Sequence, residues 1–398
     1  MSVRTRVPIR RWYRGTLKNG EVTPLELVML QPTTFCNIFC KYCYLPERDS
    51  KRKFDLGMIP ILFQKLTRAD LLGDRLTVLW HAGEPLVLPP SYYAEAFRLI
   101  KESAPELKVV HSFQTNGMLV TEEYAEFFRE SGASVGLSID GPAELHDKMR
   151  VTRTGGPSLA KTLHGAQILR SHGVPFSVIC VLTADSMPYP DQMYDFFAGL
   201  GVSELGFNVD EAEGDYTTSS FDGSTREAFI EFLRRFFYRI EQDGHRMRVR
   251  ELSQGVGVLI GGLFDEAVKS AENIPLSIIN IDVDGNLSTF SPELIGHKAP
   301  AYDDFLFGNI RTLDIERIYE NPAFARLNAD IQQGVAACRQ SCSYFPVCGG
   351  GAPANKWFEN GRFDSTLTTF CRYKKQYVAD ALTELIVEAA ERRRPEWV

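Results

Sequence analysis

Gln31-Pro-Thr-Thr-Phe-Cys36-Asn-Ile-Phe-Cys40-Lys-Tyr-Cys43-Tyr44 is the stretch on which the reading of this 398-residue chain turns. Its three cysteines fall as C-x3-C-x2-C on one short segment. Three thiolates so placed can each hold one iron of a [4Fe–4S] cluster, leaving the fourth iron open to a substrate. A structural zinc site takes four ligands, commonly in two pairs, and no fourth ligand stands nearby. A cluster loop is therefore the first reading, with zinc or a plain core as its rivals.

Working outward, Leu25-Glu-Leu-Val-Met-Leu30 is a short apolar run that reads as a buried strand leading straight into the cysteines. Five more strand patterns follow: Leu76–Trp80, Leu107–Phe113, Ser134–Ser138, Val174–Leu182 and Glu204–Val209. Helical patterns separate them near 57–71, 91–104, 121–131, 158–172 and 189–199, and a last helix carries Phe229, Phe232, Phe236 and Ile240 at helical spacing. Six consecutive strand–helix units predict a parallel sheet with right-handed crossovers, a partial (β/α)6 TIM-like barrel over residues 25–245.

The polar motifs fall at matching places. Cys36–Cys43 follows the first strand, Ala82-Gly-Glu-Pro85 the second and Gln114-Thr-Asn-Gly117 the third. Ser138-Ile-Asp-Gly141 closes the fourth, and Asn208 and Asp210 close the sixth. Parallel strands bring all five sets to the C-terminal mouth, where barrel active sites lie. Each motif alone has a plainer reading. Ala82-Gly-Glu-Pro85 and Asp140-Gly141 could be turns, Gln114 and Asn116 could satisfy strand ends, and Arg153 could be a surface arginine.

Composition narrows the class. A net charge of −7 argues against a nucleic-acid surface, and no apolar run approaches the ~18 residues of a membrane span. With no apolar signal segment at the start, the expected location is the cytoplasm. Eight cysteines in such a chain point to metal ligation rather than disulfides. Cys180, inside Val178–Leu182, reads as a small buried hydrophobe. Cys338, Cys342, Cys348 and Cys371 form a second set whose spacing suits either zinc or [4Fe–4S]. Gly349-Gly-Gly351 beside them reads as backbone free to approach sulfur.

The remaining layout is a basic arm at 1–24, a linker at 246–275 with a helix near 250–262, and a cysteine-rich domain at 276–372. A helix in 373–398 closes the chain, with Val378, Leu382, Leu385, Ile386 and Ala389 on one face. The arm, with Arg4, Arg6, Arg10, Arg11 and Arg14 and no acid before Glu21, reads as solvated or as a docking strip for an acidic peptide. Ile278–Asp282 and Leu287–Phe290 read as a hairpin around Asp284-Gly-Asn286.

On the cysteine triplet with Tyr42 before its third member, the chain resembles the radical S-adenosylmethionine (SAM) enzymes. The resemblance implies that SAM binds the open iron through its amino and carboxylate groups and is cleaved by one electron to a 5′-deoxyadenosyl radical. It implies a SAM site of Tyr42, Ala82, Gly83, Glu84, Gln114, Asn116, Ser138, Asp140 and Arg153. Glu84 and backbone carbonyls would meet the amino group, Ser138 and Asp140 the ribose, and Arg153 the carboxylate. Ala82 stands where the family has glycine.

Residues 276–372 resemble the SPASM extension, whose full seven-cysteine pattern holds two auxiliary [4Fe–4S] clusters. Here Phe290 and Ala352 stand at ligand positions of the first, while Cys338, Cys342, Cys348 and Cys371 keep the second. Two [4Fe–4S] clusters are therefore expected in all. Asp284–Leu294, Phe307-Gly-Asn309 and Cys348–Lys356 look most like cyclophane-forming peptide maturases. These join an aromatic ring to a side-chain carbon of a ribosomally made precursor peptide. Asp210 and Glu293 are the candidate bases, and a flavodoxin- or ferredoxin-type donor is the expected electron source. Rival readings are a sulfatase-maturing formylglycine synthase, a hydroxylating, epimerising or thioether-forming SPASM enzyme, an iron–sulfur electron carrier, and a zinc-bound peptide-binding module.

Overall fold

Residues 25–255 and 268–392 are described by the structure, a computed structural model. The basic arm, part of the expected linker helix, and the last six residues of the stretch expected to hold the closing helix lie outside the described residues.

Alternating burial builds the sheet. In Arg75–Trp80 the side chains of Leu76, Val78 and Trp80 are buried, as a strand period of two requires. The strands are β1 (Leu27–Leu30), β2 (Ile38–Cys40), β3 (Arg75–Trp80), β4 (Lys108–Thr115), β5 (Ser134–Ser138), β6 (Arg150–Thr152), β7 (Phe176–Leu182), β8 (Glu204–Val209), β9 (Arg248–Val249), β10 (Ile278–Ile281) and β11 (Leu287–Thr289). All six expected barrel strands are present, each followed by a helix.

Local signals end those helices where the sequence marks them. Helix Glu122–Ser131 begins at Thr121, whose hydroxyl accepts from the Tyr124 N–H, and stops at Gly132 with φ of 66°. Glu122 and Glu123 sit in its first turn, where carboxylates meet the positive end of the helix. Helix Arg226–Gln242 buries Phe229, Phe232, Phe236 and Ile240 against the sheet.

Nine strands form one sheet in the order β11-β10-β1-β3-β4-β5-β7-β8-β9. Neighbours run parallel except β10 and β11. The order has two ends, so this sheet does not close on itself. Parallel direction delivers the residues after Leu30, Trp80, Thr115, Ser138 and Val209 to one rim.

Two pairings join distant parts of the chain. The hairpin β10–β11 is continuous with the barrel sheet: Leu27 to Leu30 pair with Ile278 to Ile281, all four of the latter buried. The cysteine segment pairs with a second stretch, β2 lying antiparallel to β6 with Cys40 opposite Arg150. At the C-terminus, Cys371–Gln376 forms a π-helical turn before helix Tyr377–Arg392. Val378 and Leu382 of that helix are buried, whereas Ile386, expected on the same face, is exposed. The helix packs on Arg226–Gln242 through ion pairs from Arg226 to Asp380 and from Arg234 to Glu384 and Glu388, and these leave Ile386 outside.

Candidate active site

Side-chain and backbone braces hold the cysteine segment open. Thr33 Oγ1 donates to the Arg52 carbonyl at 2.7 Å, and Arg48 Nη1 donates to the Cys40 carbonyl at 3.0 Å. Cys36, Cys40 and Cys43 are free thiols that all line a cavity of about 270 Å³ at the barrel mouth. Two nitrogen donors approach their sulfurs, Asn116 Nδ2 at 3.9 Å from Cys36 and Arg150 Nη1 at 3.7 Å from Cys40. Burial pushes the Cys36 thiol far up and the Cys40 thiol up to about 11. A metal is what would keep such groups as thiolates.

The same cavity is lined by Tyr42, Ala82, Gly83, Glu84, Gln114, Asn116 and Ser138. Glu84 is 1% exposed. Its carboxylate accepts from Thr115 Oγ1 at 2.6 Å and from the Asn116 and Leu86 N–H groups at 2.9 Å. Burial raises its pKa to about 7 against the pull of those hydrogen bonds. Gln114 Nε2 donates to Ser138 Oγ at 2.8 Å, so two expected SAM contacts also hold each other. Gly83, at φ of 110°, passes so close to the first strand's end that a Cβ would lie 2.1 Å from the Thr33 carbonyl oxygen. The glycine needed for backbone approach is thus Gly83, and Ala82 occupies its place at φ of 67°.

Two expected contacts are placed elsewhere. Asp140 does not line the cavity; it accepts from Tyr42 Oη, from Arg150 Nε at 2.9 Å and from the Val181 N–H at 2.9 Å. It anchors Tyr42 from behind. Arg153 is exposed and also outside the lining. It donates to the Cys36 carbonyl at 2.9 Å, pairs with Asp49 and stacks on Phe35, acting as an outer brace. The cavity's buried arginine is Arg150, carried there by the β2–β6 pairing. Nothing in the sequence pattern distinguishes it from Arg153, three residues on.

A second chamber of about 830 Å³ adjoins the first, and Asn208, Glu211, Glu213 and Glu293 line both. Asp210, one of the two candidate bases, lines the smaller cavity but is engaged by its own loop. It accepts from Tyr216 Oη at 2.6 Å, the Ser220 N–H at 2.8 Å and Ser220 Oγ at 2.8 Å. Glu293 has no such set of donors, and burial, then Glu272 and Glu211, push it up to about 8. Burial and the neighbouring Glu211 and Glu293 also raise Glu213, while Asn355 Nδ2 donates to Glu211 at 2.7 Å and to Glu213 at 3.2 Å. These two acids were not singled out from the sequence. Their signal was the one that found Asp210, a place just after the sixth barrel strand. Across the chamber, Glu251 is held down at about 2, because Lys374 and Arg250 outweigh its burial.

The four later cysteines also gather. Gln376 Nε2 lies 3.6 Å from Cys371 Sγ and 3.8 Å from Cys342 Sγ, and the Gly351 N–H donates to Cys348 Sγ at 3.1 Å. Gly349, Gly350 and Gly351 all have positive φ, and Asn273 Nδ2 donates to the carbonyls of Gly349 and Gly351. Phe290 and Ala352 are buried apolar residues, Phe290 stacked on Phe324. Among the described residues no three His, Cys, Asp or Glu side chains converge as they would on a single ion. A cubane, which spreads its thiolates over separate irons, does not require that convergence. Both cysteine sets, soft thiols with N–H donors at sulfur, fit [4Fe–4S] clusters.

The sequence pattern described as the Radical SAM superfamily matches residues 30–197. The chain is 39% identical over 372 residues to the uncharacterized protein sll1766 of Synechocystis sp., covering 92% of this chain and 93% of that one. It is 25% identical over 368 residues to a serine-type anaerobic sulfatase-maturating enzyme of Bacteroides thetaiotaomicron, covering 88% of each. The solved structure of anSMEcpe with bound AdoMet and the Cp18Cys peptide superimposes with a TM-score of 0.73 at 20% identity, over 93% of this chain and all of that one. Residues 30–197 of the chain form a radical SAM domain. The chain is an enzyme of that class, built on a mostly parallel α/β sheet, with SAM and [4Fe–4S] clusters as its cofactors. No described helix is long and apolar enough to cross a membrane.

Proposed function

We propose that this enzyme removes two electrons from a ribosomally made precursor peptide and joins a side-chain Cβ to a neighbouring aromatic ring. The observation that carries the reading is the junction of the two cavities: a small one walled by three cysteines opens, past Glu211, Glu213 and Glu293, into a chamber large enough for a few residues of peptide. Cys36, Cys40 and Cys43 would hold the first cluster, with Tyr42, Gly83, Glu84, Gln114, Asn116, Ser138 and Arg150 around SAM. When bound, that pair supplies a 5′-deoxyadenosyl radical, which takes a hydrogen atom from the substrate.

The chain's own residues then have a proton to manage. Forming the new bond and restoring the ring releases one proton and one electron. Glu293, facing both cavities and free of the donors that occupy Asp210, is the group that takes the proton. Cys338, Cys342, Cys348 and Cys371 would hold the acceptor of the electron. Asp140 and Arg150 serve as positioning residues for Tyr42 and the cysteine loop.

A second reading, sulfatase maturation, is favoured by the similarity to sulfatase-maturating enzymes along nearly the whole chain. Both readings are two-electron oxidations of a polypeptide. The cross-linking reading rests further on the buried Phe290 and Ala352, which leave the first auxiliary site without those two ligands. Anaerobic turnover with a sulfatase-derived peptide and with any short aromatic-rich peptide found encoded beside the gene separates them. Formylglycine in the first would support maturation, and loss of two hydrogens with an aromatic cross-link in the second would support the proposal.

A further inference from the structure

Gly334 stands inside helix Pro322–Ser341, a place where glycine weakens a helix. A Cβ there would meet the Phe363 carbonyl oxygen at 2.2 Å and Lys356 Nζ at 3.0 Å. The space that glycine leaves is occupied by an ammonium group. Lys356 is 2% exposed, and among the described residues no carboxylate lies within ion-pair distance of it. Asp364, the acid that feels its charge, is paired with Arg362. A buried cation without an anion is strongly unfavourable.

What surrounds Lys356 is sulfur. Its Nζ lies against Gly334, one helical turn before Cys338, its Cε lies beside Gly351, whose N–H donates to Cys348, and its charge acts on Cys338, Cys348 and Cys371. The Gly351 N–H serves Cys348, and Gln376 reaches Cys342 and Cys371, the latter because the π-helical turn Cys371–Gln376 brings positions five apart together. The other cysteine set differs: Arg150 beside Cys40 is already neutralised by Asp140.

We propose that Lys356 is the counter-charge of the [4Fe–4S] cluster held by Cys338, Cys342, Cys348 and Cys371, and that it raises that cluster's reduction potential. The inference rests on the auxiliary-cluster reading given above. Adding an electron makes a cluster more negative, so a fixed cation beside its sulfurs favours the reduced form. Such a cluster is suited to take the one electron that the substrate gives up while its proton goes to a carboxylate. A ferredoxin- or flavodoxin-type carrier then removes that electron. Lys356 acts here as a positioning charge and touches no substrate.

The test is a potentiometric titration followed by electron paramagnetic resonance. It uses the full chain with Cys36, Cys40 and Cys43 all changed to Ala, so that only the later site reports. Retention of about four irons supports the cluster reading, and zinc in their place overturns that reading by itself. With iron retained, Lys356→Met should shift the oxidised-to-reduced balance at least tenfold toward the oxidised form, about 59 mV downward for one electron. Lys356→Arg should restore the parent potential. An unchanged midpoint in Lys356→Met overturns the proposal while leaving the cluster in place. Should Lys356→Met fail to hold iron, Lys356→Gln, which keeps a polar donor but no charge, carries the test with the same downward shift, and an unchanged midpoint there overturns the proposal.

Discussion

Replacing Asp140 with Asn should cost the fold far more than a change of one atom suggests. Asp140 is 2% exposed and its partner Arg150 7%, with Nε to Oδ2 at 2.9 Å. Burial opposes the charge on Arg150, and Asp140, with smaller contributions from Tyr42 and Cys40, more than offsets it. Asn keeps an acceptor for the Val181 N–H but turns its amide nitrogen toward Tyr42 Oη and Arg150 Nε, donor against donor. Breaking one side of a buried pair leaves an uncompensated charge, an effect of about 3–5 kcal/mol. The double variant with Arg150→Met removes both charges and should recover most of that loss. Denaturant unfolding of the cluster-free protein, followed by circular dichroism, measures both variants and their coupling. Asp140→Asn within about 0.5 kcal/mol of the parent, the range of an ordinary surface change, would refute the reasoning. So would strictly additive effects of the two substitutions.

Two further outcomes follow from the site. Arg153→Ala should leave SAM affinity where it is, since the side chain braces the outside of the cysteine loop, whereas Arg150→Met should weaken it; equilibrium binding under anaerobic conditions checks both. Glu293, raised from 4.5 to about 8, holds an extra proton in the folded state between those values, so stability falls as pH rises through that window. Glu293→Gln should flatten the fall in thermal midpoint. It should also abolish the rise in product yield through pH of about 8 while deoxyadenosine release persists.

The barrel was legible because its strands are short apolar runs separated by helical periods, and parallel strands force the motifs between them to one rim. Leu76–Trp80 and Val174–Leu182 read as strands from their short apolar runs alone. The joining of Ile278–Ile281 to Leu27–Leu30 was not legible, since nothing local marks a parallel partner some 250 residues away. For the same reason Arg153 stood in for Arg150: a two-strand pairing, not a motif, decides which arginine faces the cavity. Asp210 shows a different limit. Its position after β8 is right for the mouth, yet Tyr216 and Ser220 occupy its oxygens, and neither has a sequence signature as a partner. Lys356 falls outside any pattern, because only the packing of two helices reveals that it is buried beside the later cysteines.

The most direct test of the whole account is the mass of the precursor peptide after co-expression with this enzyme or anaerobic turnover with SAM and a reductant. The account predicts a product lighter by two hydrogens per bond formed, a fragmentation gap spanning an aromatic residue, and deoxyadenosine released in step. Added oxygen, a formylglycine in place of a serine or cysteine, or an unchanged mass with deuterium at Cα would contradict it.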